Sequence, residues 1–216
     1  MANKKASVYL FDLDGTLVDS MVLGWKKTLL GFLDERGLAY PDDLIKNVIA
    51  LGLPGAAAYY KANFDLKETQ EEILKYFIQS MRYRYETDIP LKEGVKNGLI
   101  ALKGAGARLN VLTASPHVFL DPCLKRLGIY DLFENHYSTD DFNLTKADTE
   151  IYDCIAAKLG VEISECTLVD DSVAAVRTAK KAGLKTVGVY DEVSACYEKE
   201  MREIVDQYVY TIEELA

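Results

Sequence analysis

The sequence lacks a long uninterrupted apolar run. The apolar segment that begins near residue 7 stops at Asp12, and no later stretch reaches the ~18 apolar residues of a membrane-spanning helix. Residues 1–5 are basic, but the apolar run behind them is too short for the core of a signal peptide. We therefore expect a cytoplasmic protein with no membrane partner.

Positive charge, cysteine and histidine are also scarce. The 216 residues have a formal net charge of -9, and nucleic acids favour basic surfaces, so we predict no nucleic-acid partner. The chain has 2 histidines and 4 cysteines, and no CxxC spacing occurs. No ligand set typical of zinc is present, and we expect free thiols at all four positions. The cysteines are Cys123, Cys154, Cys166 and Cys196.

The residues that are present suit a folded α/β domain with an insertion. After Ile89, strand-like and helix-like segments alternate, which predicts a mostly parallel, Rossmann-like sheet with helices on both faces. Between the first strand and Ile89 the pattern is helical and interrupted by Gly and Pro. We therefore predict an α/β core from residues 1–17 and 89–216, and an inserted all-α unit over 18–88. The predicted strands are Ser7–Phe11, Arg108–Thr113, His136–Ser138, Glu165–Val169, Lys185–Val189 and Tyr208–Tyr210.

Four polar clusters follow the predicted strands or the loops after them. Asp12 and Asp14 are the most informative, because strand alternation would put both carboxylates on one side, where their burial is costly. A bound cation and a phosphate group would offset that cost. Carboxylates at the shared edge of a parallel sheet suit Mg²⁺, which often shares its ligands with a phosphate. The clusters are Asp12/Asp14/Thr16, Thr113-Ala114-Ser115, Lys146 and Asp170-Asp171-Ser172.

These clusters belong to segments that resemble the motifs of the haloacid dehalogenase superfamily of aspartate-nucleophile phosphohydrolases. The chain is most similar to members with a small helical (C1-type) cap, of the phosphoglycolate phosphatase and beta-phosphoglucomutase kind. It departs from the usual Lys-Pro-x-Pro of the third motif at Ala147 and Thr149, and from a common glycine of the fourth at Ala175. In chain order the segments are FDLDGTLVDS (11–20), LNVLTAS (109–115), TKADTEIYDCIAAKLGV (145–161) and CTLVDDSVAAVRTAKKAGL (166–184).

The resemblance implies a role for each matching residue. Asp12 would attack phosphorus and form an aspartyl-phosphate, and Asp14 would protonate the leaving oxygen and then activate water. Thr113 would hold the phosphoryl oxygens with the amide of Ala114, and Lys146 would compensate their charge. The predicted contacts to substrate or phosphate are Thr16, Ala114, Ser115 and Gly52.

The resemblance also implies a Mg²⁺ site and a cap. The ion would lie between a carboxylate oxygen of Asp12, the backbone carbonyl of Asp14 and the side chain of Asp171, with Asp170 acting directly or through water. The inserted unit would be a cap that closes over the site. Its Gly-Leu-Pro-Gly segment at 52–55 is the candidate substrate-facing loop, and an ordinary helix–helix turn is the open alternative.

The predicted function is Mg²⁺-dependent hydrolysis of small phosphomonoesters, such as a sugar phosphate, phosphoglycolate or a nucleotide. Asp14 argues against dehalogenation, because displacing a halide needs no proton donor. A phosphomutase is the main alternative, but related mutases carry a histidine early in the cap, and residues 21–25 contain none. A phosphonatase, using Lys26 or Lys27, and a non-catalytic binding protein are weaker alternatives. A monomer or a homodimer is expected.

Overall fold

The computed structural model describes residues 7–49 and 51–216. The basic segment 1–5, which bears on the signal-peptide prediction, lies outside the described residues. The chain forms two compact units. One combines the chain up to Asp19 with Pro90–Ala216, and the other is Ser20–Ile89. The predicted boundaries, 17/18 and 88/89, fall close to these.

The first unit is built on a six-stranded sheet with the order β3-β2-β1-β4-β5-β6. Every neighbouring pair is parallel, so the predicted α/β fold is confirmed. The central strand, β1, is a short apolar run, and continuous apolar sequence is typical of strands that are covered on both faces. The strands are β1 (Val8–Phe11), β2 (Arg108–Thr113), β3 (Asn135–Ser138), β4 (Cys166–Asp170), β5 (Lys185–Val189) and β6 (Gln207–Val209).

The inserted unit is all-helical, as its sequence pattern predicts. Its core is aromatic: Phe32, Tyr60 and Phe77 are fully buried, and the Phe77 ring centroid lies 5.4 Å from that of Phe32 and 5.3 Å from that of Tyr60. The Tyr60 hydroxyl donates to the carbonyl of Leu29 at 3.0 Å, which satisfies its polar end. A π-helix, Met21–Lys26, leads into α1 (Lys27–Asp34), which is followed by α2 (Leu44–Ile49), α3 (Gly52–Asn63) and α4 (Gln70–Thr87).

The Gly-Leu-Pro-Gly segment is the start of a helix, so the loop and turn conformations predicted for it are wrong. Its contact with substrate stays a prediction. Gly52 is the first residue of α3 and has a φ of +64°, a left-handed conformation that favours glycine. Pro54 fits in the first turn of α3, because the amide hydrogens there have no partner within the helix.

Among the residues that the structure describes, five α-helices accompany the sheet. A glycine after a helix-like segment predicts the end of the helix, and three of the five end in this way. They are α6 (His117–Leu127) at Gly128, α7 (Glu150–Leu159) at Gly160 and α8 (Val173–Ala182) at Gly183. In the sequence, Ser115 and Asp148 precede helix-like segments and are expected to be their N-caps. Both expectations are wrong, because Pro116 precedes α6 and Thr149 precedes α7. The helices are α5 (Val95–Gly104), α6 (His117–Leu127), α7 (Glu150–Leu159), α8 (Val173–Ala182) and α9 (Glu198–Ile204).

Charged side chains interrupt even the 18-residue helix α4. Its first turn contains Glu71 and Glu72, and Arg84 lies in its last turn. Within the part of the chain that the structure describes, no helix is both long enough and apolar enough to cross a membrane.

Candidate active site

The sheet topology brings the polar clusters to one edge. β1 lies between β2 and β4, and its last residue, Phe11, pairs with Val111 on one side and Val169 on the other. Asp12 comes directly after β1, and its amide donates to the carbonyl of Val169 at 2.9 Å. Since all three strands run in the same direction, their carboxyl ends place the following residues near Asp12.

A mostly buried lysine joins the residue after β1 to the last residue of β4. Lys146 Nζ lies 2.6 Å from Asp12 Oδ1 and 2.8 Å from Asp170 Oδ2. The lysine side chain is 12% exposed, and Asp170 is fully buried. Although burial acts to lower the pKa of Lys146, the two carboxylates raise it above its ordinary value. The two carboxylates therefore favour the charged form of Lys146 beside Asp12.

The loop that presents Lys146 has its own polar support. Asp148 Oδ2 accepts from both the amide and the hydroxyl of Thr145, each at 2.8 Å. The Tyr152 hydroxyl donates to the Lys146 carbonyl at 3.1 Å. Asp148 thus stabilises the turn that contains Lys146, which explains why it does not cap the following helix.

Three buried carboxylates form a group that suits a metal ion. Oxygens of Asp12, Asp170 and Asp171 all lie within 4.8 Å of one another. Burial raises the pKa of Asp12 to about 7, with Lys146 opposing the shift and Asp170 and Asp14 adding to it. Burial, followed by the charges of Asp170 and Asp12, raises the pKa of Asp171 well above its usual range. When all three carboxylates are ionised, the group carries more negative charge than Lys146 neutralises, and an all-oxygen donor set fits a hard divalent cation.

Asp170 already has protein donors on both carboxylate oxygens. Oδ1 accepts from the amide of Ser172 at 2.8 Å, and Oδ2 accepts from Lys146. These contacts orient Lys146 toward Asp12. Since both Asp170 oxygens are already hydrogen-bonded, contact with a cation through water is favoured over direct contact. Asp171 is then the more available direct ligand.

A close approach between the first and fourth clusters requires glycine at position 15. Gly15 has a φ of +76°, and a Cβ atom there would lie 2.7 Å from Asp171 Oδ2. Any side chain would therefore clash with the Asp171 carboxylate. The glycine of the DLDG segment lets the backbone after Asp14 pass beside Asp171.

The second cluster contacts the first through Asp14. Ser115 Oγ donates to Asp14 Oδ2 at 2.6 Å, and the amide of Ser115 donates to Thr113 Oγ1 at 3.0 Å. The Thr113 hydroxyl accepts that bond, and a hydroxyl that accepts can still donate its own proton. Ser115 was predicted to contact phosphate, and in this structure its hydroxyl instead orients Asp14.

The remaining predicted contacts differ in placement. Thr16 is fully buried, and its hydroxyl has no hydrogen-bond partner among residues 7–49 and 51–216. Ala114 is exposed in the loop after β2. Gly52 belongs to the inserted helical unit, and the three carboxylates belong to the α/β unit. The Asp14 side chain lies outside the group of three carboxylates, and its predicted metal contact was through the backbone carbonyl.

A second, partly buried lysine near this edge was not predicted from the sequence. Lys92 Nζ donates to the carbonyl of Gly15 at 2.6 Å and to Asp191 Oδ2 at 3.1 Å. Neither Lys92 nor Asp191 belongs to a motif, and they are far from Gly15 along the chain. A single sequence contains no signal that would select them.

Comparison with known proteins agrees with this geometry. The model of the haloacid dehalogenase-like hydrolase family matches residues 9–189. A phosphoglycolate phosphatase of Colwellia psychrerythraea is 31% identical over 201 residues, covering 88% of this chain and 86% of that protein. A pyrophosphatase of Bacillus velezensis is 29% identical over 189 residues, covering 88% and 85%.

Solved structures extend the agreement to the fold. One from Thermotoga maritima, provisionally named a beta-phosphoglucomutase, has a TM-score of 0.79 and 22% identity, and covers 97% of this chain and 96% of that one. At this identity the likeness shows the fold alone. The family match spans every cluster described above. The chain belongs to the haloacid dehalogenase-like hydrolase family and is a phosphohydrolase of that family.

Proposed function

We propose that this chain is a Mg²⁺-dependent phosphatase that hydrolyses small phosphomonoesters through an aspartyl-phosphate on Asp12. The observation that carries the proposal is the contact of 2.6 Å between Lys146 Nζ and Asp12 Oδ1, beside the buried carboxylates of Asp170 and Asp171. A cation beside a buried carboxylate favours its ionised form and so opposes the burial that raises the pKa of Asp12, and a nucleophile must be ionised.

In the first step, a carboxylate oxygen of Asp12 forms a bond to phosphorus as the bond from phosphorus to the ester oxygen breaks. The departing oxygen takes the electron pair and receives a proton from Asp14. The hydrogen bond from Ser115 at 2.6 Å fixes the orientation of Asp14 for this transfer. Lys146 offsets negative charge on the transferred group, and the Thr113 hydroxyl donates to one of its oxygens.

In the second step, Asp14 takes a proton from water as the water oxygen attacks the phosphorus of the aspartyl-phosphate. The bond between phosphorus and the Asp12 oxygen breaks, which releases phosphate and restores the carboxylate. One residue thus serves as acid and then as base. Two successive displacements replace a single, more difficult attack by water.

The carboxylates of Asp12 and Asp171 and the backbone carbonyl of Asp14 would hold Mg²⁺, with Asp170 contributing through water. When bound, the ion supplies positive charge that neutralises the phosphoryl oxygens and the buried carboxylates. Oxygen ligands shared with a phosphate are what Mg²⁺ favours in proteins.

The substrate class that we propose is a small phosphorylated metabolite: a sugar phosphate, phosphoglycolate or a nucleotide. Two relatives are named for phosphoglycolate and pyrophosphate hydrolysis, which supports small phosphorylated compounds. The net charge of -9 argues against nucleic acid as substrate.

The test is phosphate release from a substrate panel, with Mg²⁺ supplied or removed by a chelator. The panel includes sugar phosphates, phosphoglycolate, nucleoside monophosphates and pyrophosphate. We expect release from at least one monoester, and a loss of about 10²-fold or more without the ion, since metal charge stabilisation is worth several kcal/mol. Undiminished release in chelator would overturn the metal requirement.

A second assay distinguishes hydrolysis from a phosphomutase reaction, in which the phosphoryl group moves from one position of the sugar to another. Hexose 1-phosphate is incubated with a trace of the 1,6-bisphosphate, and both free phosphate and hexose 6-phosphate are measured. Free phosphate without hexose 6-phosphate is the expected result. Conversion to hexose 6-phosphate would replace the phosphatase proposal with a phosphomutase.

A further inference from the structure

We propose that Lys92 is a positioning residue for the turn at Gly15, directly after Asp14 (the Gly15 turn), and that it holds this turn in the shape needed to bind the cation. This inference rests on the proposed function. Lys92 lies outside all four motif clusters. It nevertheless contacts the backbone directly after Asp14.

The Lys92 ammonium is fully occupied by the protein. Its three acceptors are the carbonyl of Gly15 at 2.6 Å, the Asp191 carboxylate at 3.1 Å and the carbonyl of Tyr190. The lysine side chain is only 16% exposed. Since an ammonium group has three donors, none remains for substrate, and Lys92 acts through the groups that it holds.

The main partner of Lys92 is itself fixed. Asp191 is 3% exposed, and its other oxygen accepts from the amide of Val193 at 3.0 Å. Asp191 follows β5 at the carboxyl end of the sheet. The ion pair thus fastens the loop after β5 to the loop after β1.

The backbone of Lys92 is also anchored, so its side chain starts from a defined point. The Lys92 amide donates to the carbonyl of Leu17 at 3.1 Å, and Val18 forms an antiparallel bridge with Leu91. The amide of Asp19 donates to the carbonyl of Pro90 at 3.0 Å. From this pairing the side chain reaches back to the Gly15 turn.

Both backbone polar groups of Gly15 have partners. Its amide donates to the carbonyl of Val18 at 3.1 Å, and its carbonyl accepts from Lys92. The α-carbon of Gly15 faces the Asp171 carboxylate, because a Cβ atom added at this position would lie 2.7 Å from Asp171 Oδ2. Without Lys92, the Gly15 turn loses one of its two backbone contacts beside Asp171. Both the Asp14 carbonyl and the Asp171 carboxylate, two proposed ligands, would then be less well placed.

The test compares Lys92→Met with Lys103→Met. Lys103 is an exposed lysine of α5 that donates to two backbone carbonyls, those of Asp131 and Leu132, at 2.8 and 2.9 Å. We expect Lys92→Met to weaken Mg²⁺ binding and lower kcat by about 10-fold or more, the range seen for residues that orient metal ligands. Lys103→Met should leave Mg²⁺ affinity and kcat within about 2-fold of the unaltered protein, as expected for a surface change away from a site. Mg²⁺ binding is measured by calorimetry on the substrate-free chain.

A double variant separates positioning from simple stabilisation. Lys92→Met leaves the buried Asp191 without its cation, and Asp191→Asn removes that charge. We expect the pair Lys92→Met/Asp191→Asn to regain melting temperature while Mg²⁺ affinity and kcat stay low.

Recovery of Mg²⁺ affinity together with stability would overturn the proposal, as would wild-type affinity and kcat in Lys92→Met itself. If Lys92→Met does not fold, the Mg²⁺ affinity and kcat of the double variant Lys92→Met/Asp191→Asn test the proposal. Lack of phosphatase activity in the unaltered chain would overturn the proposed function and leave the calorimetric comparison intact.

Discussion

Asp12→Asn is expected to lower phosphate release by about 10⁴-fold or more, the scale of loss when a catalytic nucleophile is removed. An amide cannot form the bond to phosphorus that the carboxylate forms. The fold should persist, because Asn has nearly the same shape and Lys146 keeps its contact with Asp170 at 2.8 Å. Initial rates with a saturating monoester, beside a melting curve, measure both effects.

The matched control is Asp131→Asn, which changes an exposed aspartate of the same unit. It should retain the wild-type rate. If Asp12→Asn is folded and keeps a tenth or more of the wild-type rate, Asp12 is not the nucleophile.

Lys146→Met is expected to remove both stability and activity. The lysine side chain is 12% exposed and contacts Asp12 and Asp170, so its loss leaves buried carboxylates without their cation. Breaking a buried ion pair in this way costs about 3 kcal/mol of unfolding free energy. Turnover should fall by about 10²- to 10³-fold, as when a charge-stabilising group is deleted from an active site.

Denaturant unfolding and steady-state rates measure these effects, with Lys181→Met as the control. Lys181 is an exposed lysine of α8, and its change should stay within about 0.5 kcal/mol. Full activity in Lys146→Met would exclude this lysine from the chemistry, whatever its effect on stability.

The sequence predicted most of the fold, because apolar strands alternated with amphipathic helices along the core. The apolar segment Val8–Phe11 and the abrupt change at Asp12 located β1 almost to the residue. The inserted unit was less predictable. Its first helical turns, Met21–Lys26, are a π-helix, and an apolar pattern does not distinguish hydrogen bonding to the fourth residue from bonding to the fifth.

The part of the site that follows strand ends was predictable, because parallel strands bring their carboxyl ends together. Asp12, Asp170 and Asp171 form one group for that reason. Contacts that depend on side-chain direction were not predictable. Ser115 suggested a helix cap, yet its hydroxyl donates to Asp14, which is 101 positions away.

Histidine gives a further example. In the sequence, His117 lacks partners at ligand spacing and is expected to be incidental to function. The structure places its imidazole between Asp121 at 3.2 Å and Asp141 at 3.1 Å, and these carboxylates raise its pKa although burial opposes the shift. Asp121 is one helical turn away, but Asp141 becomes a neighbour only through packing.

Trapping the aspartyl-phosphate tests the central claim most directly. In an Asp14→Asn variant, an aryl phosphate can still react, because its leaving group needs little help from an acid. The second step needs Asp14 to activate water, so the intermediate should accumulate. Acid quenching and peptide mass spectrometry should then find one phosphoryl group on the peptide that contains Asp12, and none when Asp12→Asn is added. A phosphoryl group on another residue, or aryl release with no phosphorylated peptide, would contradict a nucleophilic Asp12.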